Sequence, residues 1–585
     1  MKEIIIGIDL GTTNSEVAVI ENGRPVAIAN ERGDKILPSF VGVGPQGEML
    51  VGEGARNQYM IFPERTVKSI KRKMGSGQSV EMAGESYTPQ EISAMILKRL
   101  KEIAESYLKQ TVSKAVITVP AYFNDAQRQA TREAGEIAGL DVVRMINEPT
   151  AAALSYETGH QDGKRILVYD LGGGTFDVSV VEIQDGVVEV ISSHGNNHLG
   201  GDDFDQKIVE FLVEHLQNEY NLVVSELDNA RQVEARILNA AVEAKKSLSI
   251  QPFVLIEEEF LSSRDGVPIN LSVELSRDDY ERMIQPFIEE TLDSIHTALK
   301  NVSMTVSDID EILLVGGSTR TPLVSQMLAA EIGMMPRGEV DPELCVATGA
   351  AIQAGMIAGE AVSAVLVDVT PYTFGTSVYG ELDGMPHPAV FAPIIQKNTS
   401  IPVTRSDVYY TLHDNQEIVD VRIYQGDALD ATENLLIGEF QVEGLSKAPA
   451  NNPVVIELAL NNDGILNVTA VEKNTGLKKR ITIENAFAKM NQASLDQSKD
   501  RVNALFGTSD AEIVENAEAD EDDRFADAKN LVEKAKKLLE KASADDQDEI
   551  IDLIEQINDA IQAASTESLR EPVGELSEIL YYLES

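Results

Sequence analysis

The alternation of apolar and polar positions divides the chain into three regions. Residues 1–359 alternate short β-branched runs with amphipathic stretches, which is the pattern of a layered α/β region. Residues 370–483 carry short alternating runs separated by turn signals such as NNDG and KNTG, which predict an antiparallel β-sandwich. From residue 485 the pattern becomes helical and strongly acidic. We therefore expect a multidomain chain of the type α/β, then β, then α.

Single elements can be placed within the first region. KAVITVP, residues 114–120, predicts a strand. The segment after it predicts a helix with Asn124 as its N-cap and Gly139 just beyond its end. A strand followed by glycines is predicted at 311–322, and a helix of small residues, suited to close packing, at 346–361.

The connection between the first two regions has an unusual composition. SAVLVDVTP, residues 363–371, is apolar and β-branched, whereas interdomain linkers are ordinarily polar and rich in Gly, Pro or Ser. An apolar linker is suited to dock against a domain, so it could act as a switch element. The alternative interpretation is a plain buried strand.

An internal repeat points to the chemistry. DLGTTNSEVAV at 9–19 matches DLGGGTFDVSV at 170–180 without a gap, at an offset of 161 residues, and predicts two similar halves. The three glycines of the second copy remove every Cβ, so that backbone N–H groups can approach an anion closely. Two such hairpins facing each other across a cleft would suit a bound metal-phosphate. For either hairpin alone, a simple tight turn is the alternative.

Composition excludes several classes of function. The 585 residues include 49 basic and 96 acidic ones, a net charge of −47, which argues against a nucleic-acid partner and against anionic membranes. The single cysteine, Cys345, excludes an intramolecular disulfide and a multi-thiolate metal site. The start MKEIIIG has no apolar signal region, so a cytoplasmic location is expected. No GxxxxGK[ST] motif occurs, which excludes a P-loop ATPase.

Several long strings closely resemble bacterial DnaK-type chaperones of the heat-shock protein 70 family. They cover about the first five-sixths of the chain and include IIGIDLGTTNS, ITVPAYFNDAQRQATREAG, INEPTAAAL, LVYDLGGGTFDVSV, HLGGDDFD, LLVGGSTRTP, DVTP and KNTSIP. The resemblance implies an actin-like ATPase domain of two duplicated lobes at 1–359 and an apolar linker at 360–369. It further implies an antiparallel β-sandwich substrate domain at 370–483 and an α-helical lid at 484–585.

The resemblance also implies a function. Binding of MgATP would open a peptide site and hydrolysis would close it, with ATP or ADP, Mg²⁺ and, as a further candidate, K⁺ as cofactors. The implied partners are unfolded polypeptide clients, a J-domain co-chaperone and a nucleotide exchange factor, in a stress-response setting. The actin-like fold also serves sugar kinases and filament formers. A sugar kinase has no use for an apolar linker and a β-sandwich, and the net charge of −47 opposes the self-assembly of a filament former. A regulatory relative that binds one dedicated client stays an alternative.

Hydrolysis of ATP needs positioning and charge neutralisation more than covalent chemistry. The resemblance assigns the catalytic roles to Lys71, Glu148, Thr175 and Asp177, and the Mg²⁺ anchors to Asp9 and Asp170. It assigns nucleotide contacts to Thr12, Thr13, Asn14, Gly172, Gly173, Gly174, Gly201, Lys245, Lys246, Ser249, Gly317, Ser318, Arg320 and Glu343. From local sequence alone, other interpretations stay open. Asp9 and Asp170 could cap turns, Lys71 could be a solvated lysine, and Glu148 could be an ordinary glutamate at the start of a helix.

Coupling and peptide binding are assigned in the same way. The resemblance matches three residues to allosteric positions: Pro120, Arg128 and Asp368. The alternatives are that Pro120 only stops a strand, that Arg128 is a surface arginine and that Asp368 is an exposed aspartate. The predicted walls of the peptide groove are Thr376, Val378, Tyr379, Tyr409, Tyr410, Leu412, Val419 and Val421. An extended peptide would pair there as an added strand, with an apolar pocket for one side chain.

The sequence departs from the family pattern at several places. Val242 stands where relatives have a glutamate that reaches the ribose, which predicts weaker nucleotide binding. Three tyrosines line the groove, and an insertion lies near 381–390. The chain looks like the shorter, Gram-positive-type form; its segment 488–507 is atypical, and a lid helix at 524–543 looks too short. These departures suggest a specialised paralogue that releases peptides quickly.

Overall fold

A computed structural model describes most of the chain. The described residues are 4–157, 163–184, 186–227, 229–264, 267–337, 341–360, 365–483 and 490–506, with Ala535, Ile550, Leu553, Ile554, Gln556 and Ile557. The chain forms two compact units, Met1–Leu505 and Phe506–Ser585. The described residues of the second unit are helical; Phe506 is half-buried, Gln556 is exposed, and the others are buried. Apart from Ala535, the predicted lid helix at 524–543 lies outside the described residues.

Residues 5–147 form the first lobe, which is built on a mixed sheet. Its strands are β1 (Ile5–Leu10), β2 (Asn14–Glu21), β3 (Arg24–Ala27), β4 (Leu37–Pro38), β5 (Phe40–Val43), β6 (Met49–Val51), β7 (Thr66–Lys68), β8 (Val80–Met82), β9 (Glu85–Tyr87), β10 (Lys114–Val119) and β11 (Asp141–Asn147). Its helices are α1 (Glu53–Tyr59), α2 (Pro89–Leu108) and α3 (Asp125–Ile137). The main sheet has the order β11-β10-β1-β2-β3. Helix α3 begins after a capping box at Asn124, and Gly139 follows its end with φ 76°, as the sequence predicts.

Residues 148–357 form the second lobe. Its strands are β12 (Lys164–Leu171), β13 (Phe176–Gln184), β14 (Val187–Asn196), β15 (Phe253–Arg264), β16 (Val267–Ser276) and β17 (Glu311–Val315). Its helices are α4 (Glu148–Glu157), α5 (Gly201–Tyr220), α6 (Ala230–Leu248), α7 (Arg277–Asn301), α8 (Pro322–Ile332) and α9 (Cys345–Ile357). β12 is antiparallel to β13 and parallel to β17, just as β1 is antiparallel to β2 and parallel to β10. The sequence repeat therefore corresponds to a repeated topology.

The two lobes share a core around α4 and α9. Val116 of the first lobe and Val168 of the second belong to one buried apolar cluster with Ala350 of α9. A Cβ on Gly349 would overlap the backbone of Ala151 in α4, so glycine is needed at this crossing. Small residues let these helices approach closely, and the lobes are consequently joined at their base.

The apolar linker forms a strand of the second lobe's sheet. β18 (Val365–Val369) pairs in parallel with β14 through Val187–Glu189. Val369 is buried in the shared core, and Leu366 packs against it. The segment is thus a partly buried strand that docks on the second lobe's sheet; that it acts as a switch stays a prediction.

Residues 374–483 form two antiparallel four-stranded sheets around one core. The remaining strands are β19 (Phe374–Leu382), β20 (Met385–Ile395), β21 (Ser400–Ile401), β22 (Val403–Tyr410), β23 (Ile418–Gln425), β24 (Leu435–Glu443), β25 (Pro453–Leu460), β26 (Leu466–Glu472) and β27 (Lys478–Ile483). The sheet orders are β20-β19-β23-β24 and β22-β25-β26-β27. Ile423 of one sheet and Leu458 of the other are completely buried in the same cluster. We call this region the β domain.

The segment after the β domain returns to the first lobe. Helix α10 (Gln492–Phe506) carries Arg501, whose guanidinium lies 3.9 Å from the ring centroid of Tyr87. Arg501 also pairs with Glu85 at 3.5 Å and with Glu91 at 3.7 Å. The atypical sequence at 488–507 therefore includes a helix that contacts the first lobe. In the described part of the chain, every helix is too short or too polar to cross a membrane.

Candidate nucleotide site between the two lobes

The two repeated hairpins face each other directly. A Cβ on Gly173 would overlap the hydroxyl of Thr13, and one on Gly174 would lie 2.8 Å from Cγ2 of Thr12. No side chain fits at either glycine, because the first hairpin occupies that space. The structure therefore brings the two hairpins together, as the repeat predicts.

In the second hairpin, three successive carbonyl groups are held by hydrogen bonds. The N–H of Gly201 donates to Gly172 at 2.9 Å, the N–H of Asp202 to Gly173 at 2.7 Å, and Nε of Arg72 to Gly174 at 3.3 Å. In a trans peptide the C=O and the N–H point in opposite directions. The N–H groups of Gly173, Gly174 and Thr175 consequently point away from these anchors, which is the arrangement of an anion-binding nest.

The first hairpin is organised in the same way by one serine. The hydroxyl of Ser39 donates to the carbonyl of Gly11 at 2.9 Å, and its N–H donates to the carbonyl of Thr13 at 2.8 Å. By the same argument, the N–H groups of Thr12 and Asn14 point away from Ser39. The two hairpins together offer two sets of oriented donors to one anionic group.

Each hairpin also places two acids opposite each other. Asp9 faces Glu16 across β1 and β2, and Asp170 faces Asp177 across β12 and β13. Burial, reinforced by Glu148, raises the pKa of Asp177 to about 8, and burial raises the pKa of Asp170 and Glu16 well above their ordinary values. Glu16 was not among the predicted site residues, although the repeat aligns it with Asp177 and could have identified it.

Lys71 and Glu148 form a buried ion pair beside these acids. Nζ of Lys71 donates to Glu148, and the two residues are 4% and 7% exposed. Burial raises the pKa of Glu148 to about 7, although Lys71 opposes this shift. Burial lowers the pKa of Lys71, but Glu148 and Asp9 outweigh it, so that the net shift is upward. Lys71 is therefore a buried cation and not a solvated member of a basic run.

The acids fit a hydrated divalent cation. Burial raises the pKa of Asp9 and of Asp170, which shows that these carboxylates lack enough compensating positive charge. Among the residues that the structure describes, no group of three or more His, Cys, Asp or Glu side chains could enclose a metal ion. Mg²⁺ keeps several waters and needs only one or two carboxylates together with phosphate oxygens. Asp9 and Asp170 are the residues that would hold it.

The predicted contacts of the nucleoside lie around the start of α5. Lys245 pairs with Asp205 at 2.8 Å and donates to the carbonyl of Gly201 at 2.9 Å. The hydroxyl of Ser318 donates to the carbonyl of Gly172 at 2.8 Å. These residues thus support the glycine hairpin. Asp205 was not predicted, since only the folded chain brings it to Lys245.

The remaining predicted residues are engaged with neighbouring groups. Arg320 pairs with Glu343 at 3.0 Å, and Glu343 also accepts a hydrogen bond from Asn14 at 3.5 Å. Lys246 pairs with Glu243 at 2.8 Å on the exposed side of α6, whereas the hydroxyl of Ser249 donates back to its own helix. A Cβ on Gly317 would lie 3.4 Å from Glu343. The half-buried Val242 lies in the same helix as Lys246.

Comparison with known families gives a match over nearly the whole chain. A family model described as Hsp70 protein matches residues 5–80 and 76–584. The chain belongs to the Hsp70 family. Hsp70 proteins combine an actin-like ATPase with a substrate-binding domain, bind ATP or ADP with Mg²⁺, and act as ATP-dependent chaperones. They generally work with unfolded clients, J-domain proteins and exchange factors.

In this Hsp70 chain, the linker contacts the residues that flank Glu148. Asp368 of β18 accepts hydrogen bonds from Asn147 and from Thr150, both at 3.0 Å. Arg128 donates to Asn147 at 2.7 Å and to the carbonyl of Ala121 at 3.0 Å. Asp368 is therefore half-buried and hydrogen-bonded, and not an exposed aspartate. The predicted coupling residues Arg128 and Asp368 meet at Asn147, and Pro120 lies next to Ala121.

The predicted groove residues fall into two groups. Tyr379, Tyr410 and Leu412 are 59%, 59% and 57% exposed. Thr376 and Val421 are buried, Val378 is half-buried, and Tyr409 and Val419 pack against the core of the β domain. The insertion at 381–390 lies around the tip of the β19–β20 hairpin, where Leu382 pairs with Met385. That these residues form one peptide groove stays a prediction.

Proposed function

We propose that this Hsp70 chain couples ATP hydrolysis between its lobes to the capture and release of extended apolar segments of unfolded proteins. Residues 1–359 would be the ATPase domain, 360–369 the switching linker, 370–483 the peptide-binding domain and 484–585 the lid. The contact of Asp368 with the neighbours of Glu148 is the observation that carries this proposal.

The contact of Asp368 joins the linker to residues 147–150, the short segment that also contains Glu148. Asn147 and Thr150 hold Asp368, while Glu148 between them holds Lys71. Because Asn147 and Glu148 are joined by one planar peptide, a displacement of the linker is transmitted to the Lys71–Glu148 pair. This geometry supports linker-mediated coupling between the β domain and the ATPase.

The chemistry of the site follows from the same residues. Glu148 would hold the attacking water or accept its proton, and Asp177 would support Glu148 from behind. Lys71 would stabilise the charge that develops on the γ-phosphate, with Thr175 donating to a phosphate oxygen. Asp9 and Asp170 would hold Mg²⁺, which would supply positive charge against the phosphate groups.

Further contacts of the first lobe, with the β domain and with Tyr372 just before it, support a docked arrangement. Asp463 pairs with Arg132 at 3.3 Å and with Arg144 at 3.4 Å. The hydroxyl of Tyr372 donates to the carbonyl of Tyr122, and their rings lie 5.2 Å apart. We infer that this docked arrangement is the ATP-bound, peptide-releasing state, and that hydrolysis releases the β domain and the linker.

We infer a bacterial, DnaK-type chaperone of the shorter Gram-positive-like form, located in the cytoplasm and served by J-domain and exchange-factor partners. The tyrosines at 379, 409 and 410 and the short lid would alter the choice of peptide and speed its release. A specialised paralogue fits these departures.

A fluorescent, extended, Leu-rich peptide tests the proposal by anisotropy. We expect the ADP-loaded protein to bind it, to release it rapidly on addition of MgATP, and to recapture it as ATP is hydrolysed. Glu148→Ala should release the peptide but fail to recapture it, because only hydrolysis is lost. Glu210→Ala, at an exposed site on α5, is the matched control. Peptide binding that ignores MgATP would contradict the coupling.

A further inference from the structure

The glycine hairpin of the second lobe is held from both sides of the cleft. Gly201 and Asp202, which anchor the carbonyls of Gly172 and Gly173, belong to the second lobe. Arg72, which anchors the carbonyl of Gly174 at 3.3 Å, belongs to the first lobe. The peptide that this last bond orients carries the N–H of Thr175, so its direction depends on a residue across the cleft.

Arg72 is itself fixed to the second lobe by an acid. Its terminal nitrogen donates to Asp203 at 2.6 Å, and the same carboxylate oxygen accepts the N–H of Gly200 at 2.8 Å at the start of α5. Next to this pair, the hydroxyl of Ser69 donates to Asp202 at 2.8 Å. The side chains of Arg72 and Asp203 are 25% and 26% exposed. The ion pair is therefore partly shielded from water.

There is no spare room around this contact. A Cβ on Gly174 would lie 2.9 Å from Nε of Arg72 and 2.8 Å from Thr12. The guanidinium thus fills the position above Gly174, and its planar fork uses one donor for the carbonyl and another for the carboxylate. Lysine, with a single flexible ammonium, cannot make both contacts in this geometry.

We propose that Arg72 is a positioning residue that links closure of the lobes to the phosphate site. When the lobes are closed, Arg72 orients the Gly174–Thr175 peptide so that the N–H of Thr175 meets the γ-phosphate. When they open, the Arg72–Asp203 pair breaks, the peptide loses its anchor and the nucleotide can leave. This inference rests on the proposed ATPase function and adds a determinant of both hydrolysis and nucleotide release.

The two contacts of Arg72 can be separated by three variants. Arg72→Ala loses both contacts, and we expect single-turnover hydrolysis to be roughly ten-fold slower and nucleotide release roughly ten-fold faster. The loss of a donor to the developing charge would slow hydrolysis by more than this, but Arg72 only orients that donor. Arg72→Lys keeps a cation for Asp203, so that release should return to within about three-fold of the wild type while hydrolysis stays slow. Asp203→Asn should speed release with a smaller effect on hydrolysis, since Arg72 can still reach Gly174.

The measurements use the full-length protein. Single-turnover hydrolysis of ATP reports the chemical step, and chase of a fluorescent ADP analogue reports release. Arg165→Ala, which breaks an ion pair of 3.1 Å with Glu182 away from the cleft, is the control. Arg72→Ala rates within two-fold of the wild type, or Arg72→Lys behaving as wild type in both assays, would overturn the proposal. Absence of hydrolysis in the wild type would instead refute the ATPase function.

Discussion

Replacing Asp368 by alanine tests how strongly the linker is docked. The change removes two interdomain hydrogen bonds, from Asn147 and from Thr150. Bonds to a charged group contribute about 1.5–3 kcal/mol each. Against this stands the cost of burying the carboxylate, since burial raises the pKa of Asp368. A net loss of about 2–3 kcal/mol remains, which shifts the docking equilibrium by about 30- to 150-fold toward the undocked state.

The composition of the chain makes this shift measurable. The sole cysteine, Cys345, is buried, so cysteines introduced at the exposed Lys300 and Lys447 can be labelled selectively for energy transfer between the domains. We expect MgATP to bring the labels of the wild type into the docked distance. Asp368→Ala should need far more nucleotide or fail to dock, whereas Asp293→Asn, at an exposed site on α7, should behave as the wild type. Equal docking of both variants would refute the reasoning.

Three further changes have definite expected outcomes. Val242→Glu should tighten ADP binding about two- to ten-fold in calorimetry, because one hydrogen bond contributes about 0.5–1.5 kcal/mol; an unchanged affinity counts against the missing ribose contact. Gly173→Ala should abolish nucleotide binding by overlapping Thr13, with the urea midpoint of the β domain unchanged; retained binding would contradict the facing hairpins. In the β domain, burial raises the pKa of Glu472, but hydrogen bonds led by Ser446 lower it to about 2. Its stabilisation is present above pH 4.5 and lost as the pH falls toward 2, so Glu472→Gln should lower the urea midpoint at neutral pH and flatten its decline in acid.

Local patterns were sufficient where one stretch of chain determines the outcome. Asn124 caps α3 because its side chain reaches a backbone N–H three residues ahead. The hairpin signals NNDG and KNTG lie in the connections between β25, β26 and β27, since those turns need residues that tolerate positive φ. The repeat of 9–19 at 170–180 likewise predicted two opposed hairpins.

Partners that come from distant segments could not be predicted in this way. In the run KSIKRKMG, periodicity gives no reason to treat Lys71 and Arg72 as anything but surface cations, and only the family resemblance identified Lys71. The structure buries Lys71 against Glu148 and extends Arg72 to Asp203, which follows it by 131 residues. Asp205 escaped prediction for the same reason, because its role depends on how α5 packs against α6.

Two pairs of adjacent residues connect the linker to the glycine hairpin. Asn147 holds the linker while its neighbour Glu148 holds Lys71, and Lys71 is followed by Arg72, which holds Gly174. Each step therefore passes through one peptide bond or one side-chain contact. We propose that undocking of the linker loosens Asn147, and that the change reaches the phosphate donors through the groups proposed to act in hydrolysis. The path from the linker to the phosphate donors consequently runs beside the residues assigned to hydrolysis, and Glu148→Ala is expected to lose hydrolysis while it keeps the release of peptide on MgATP.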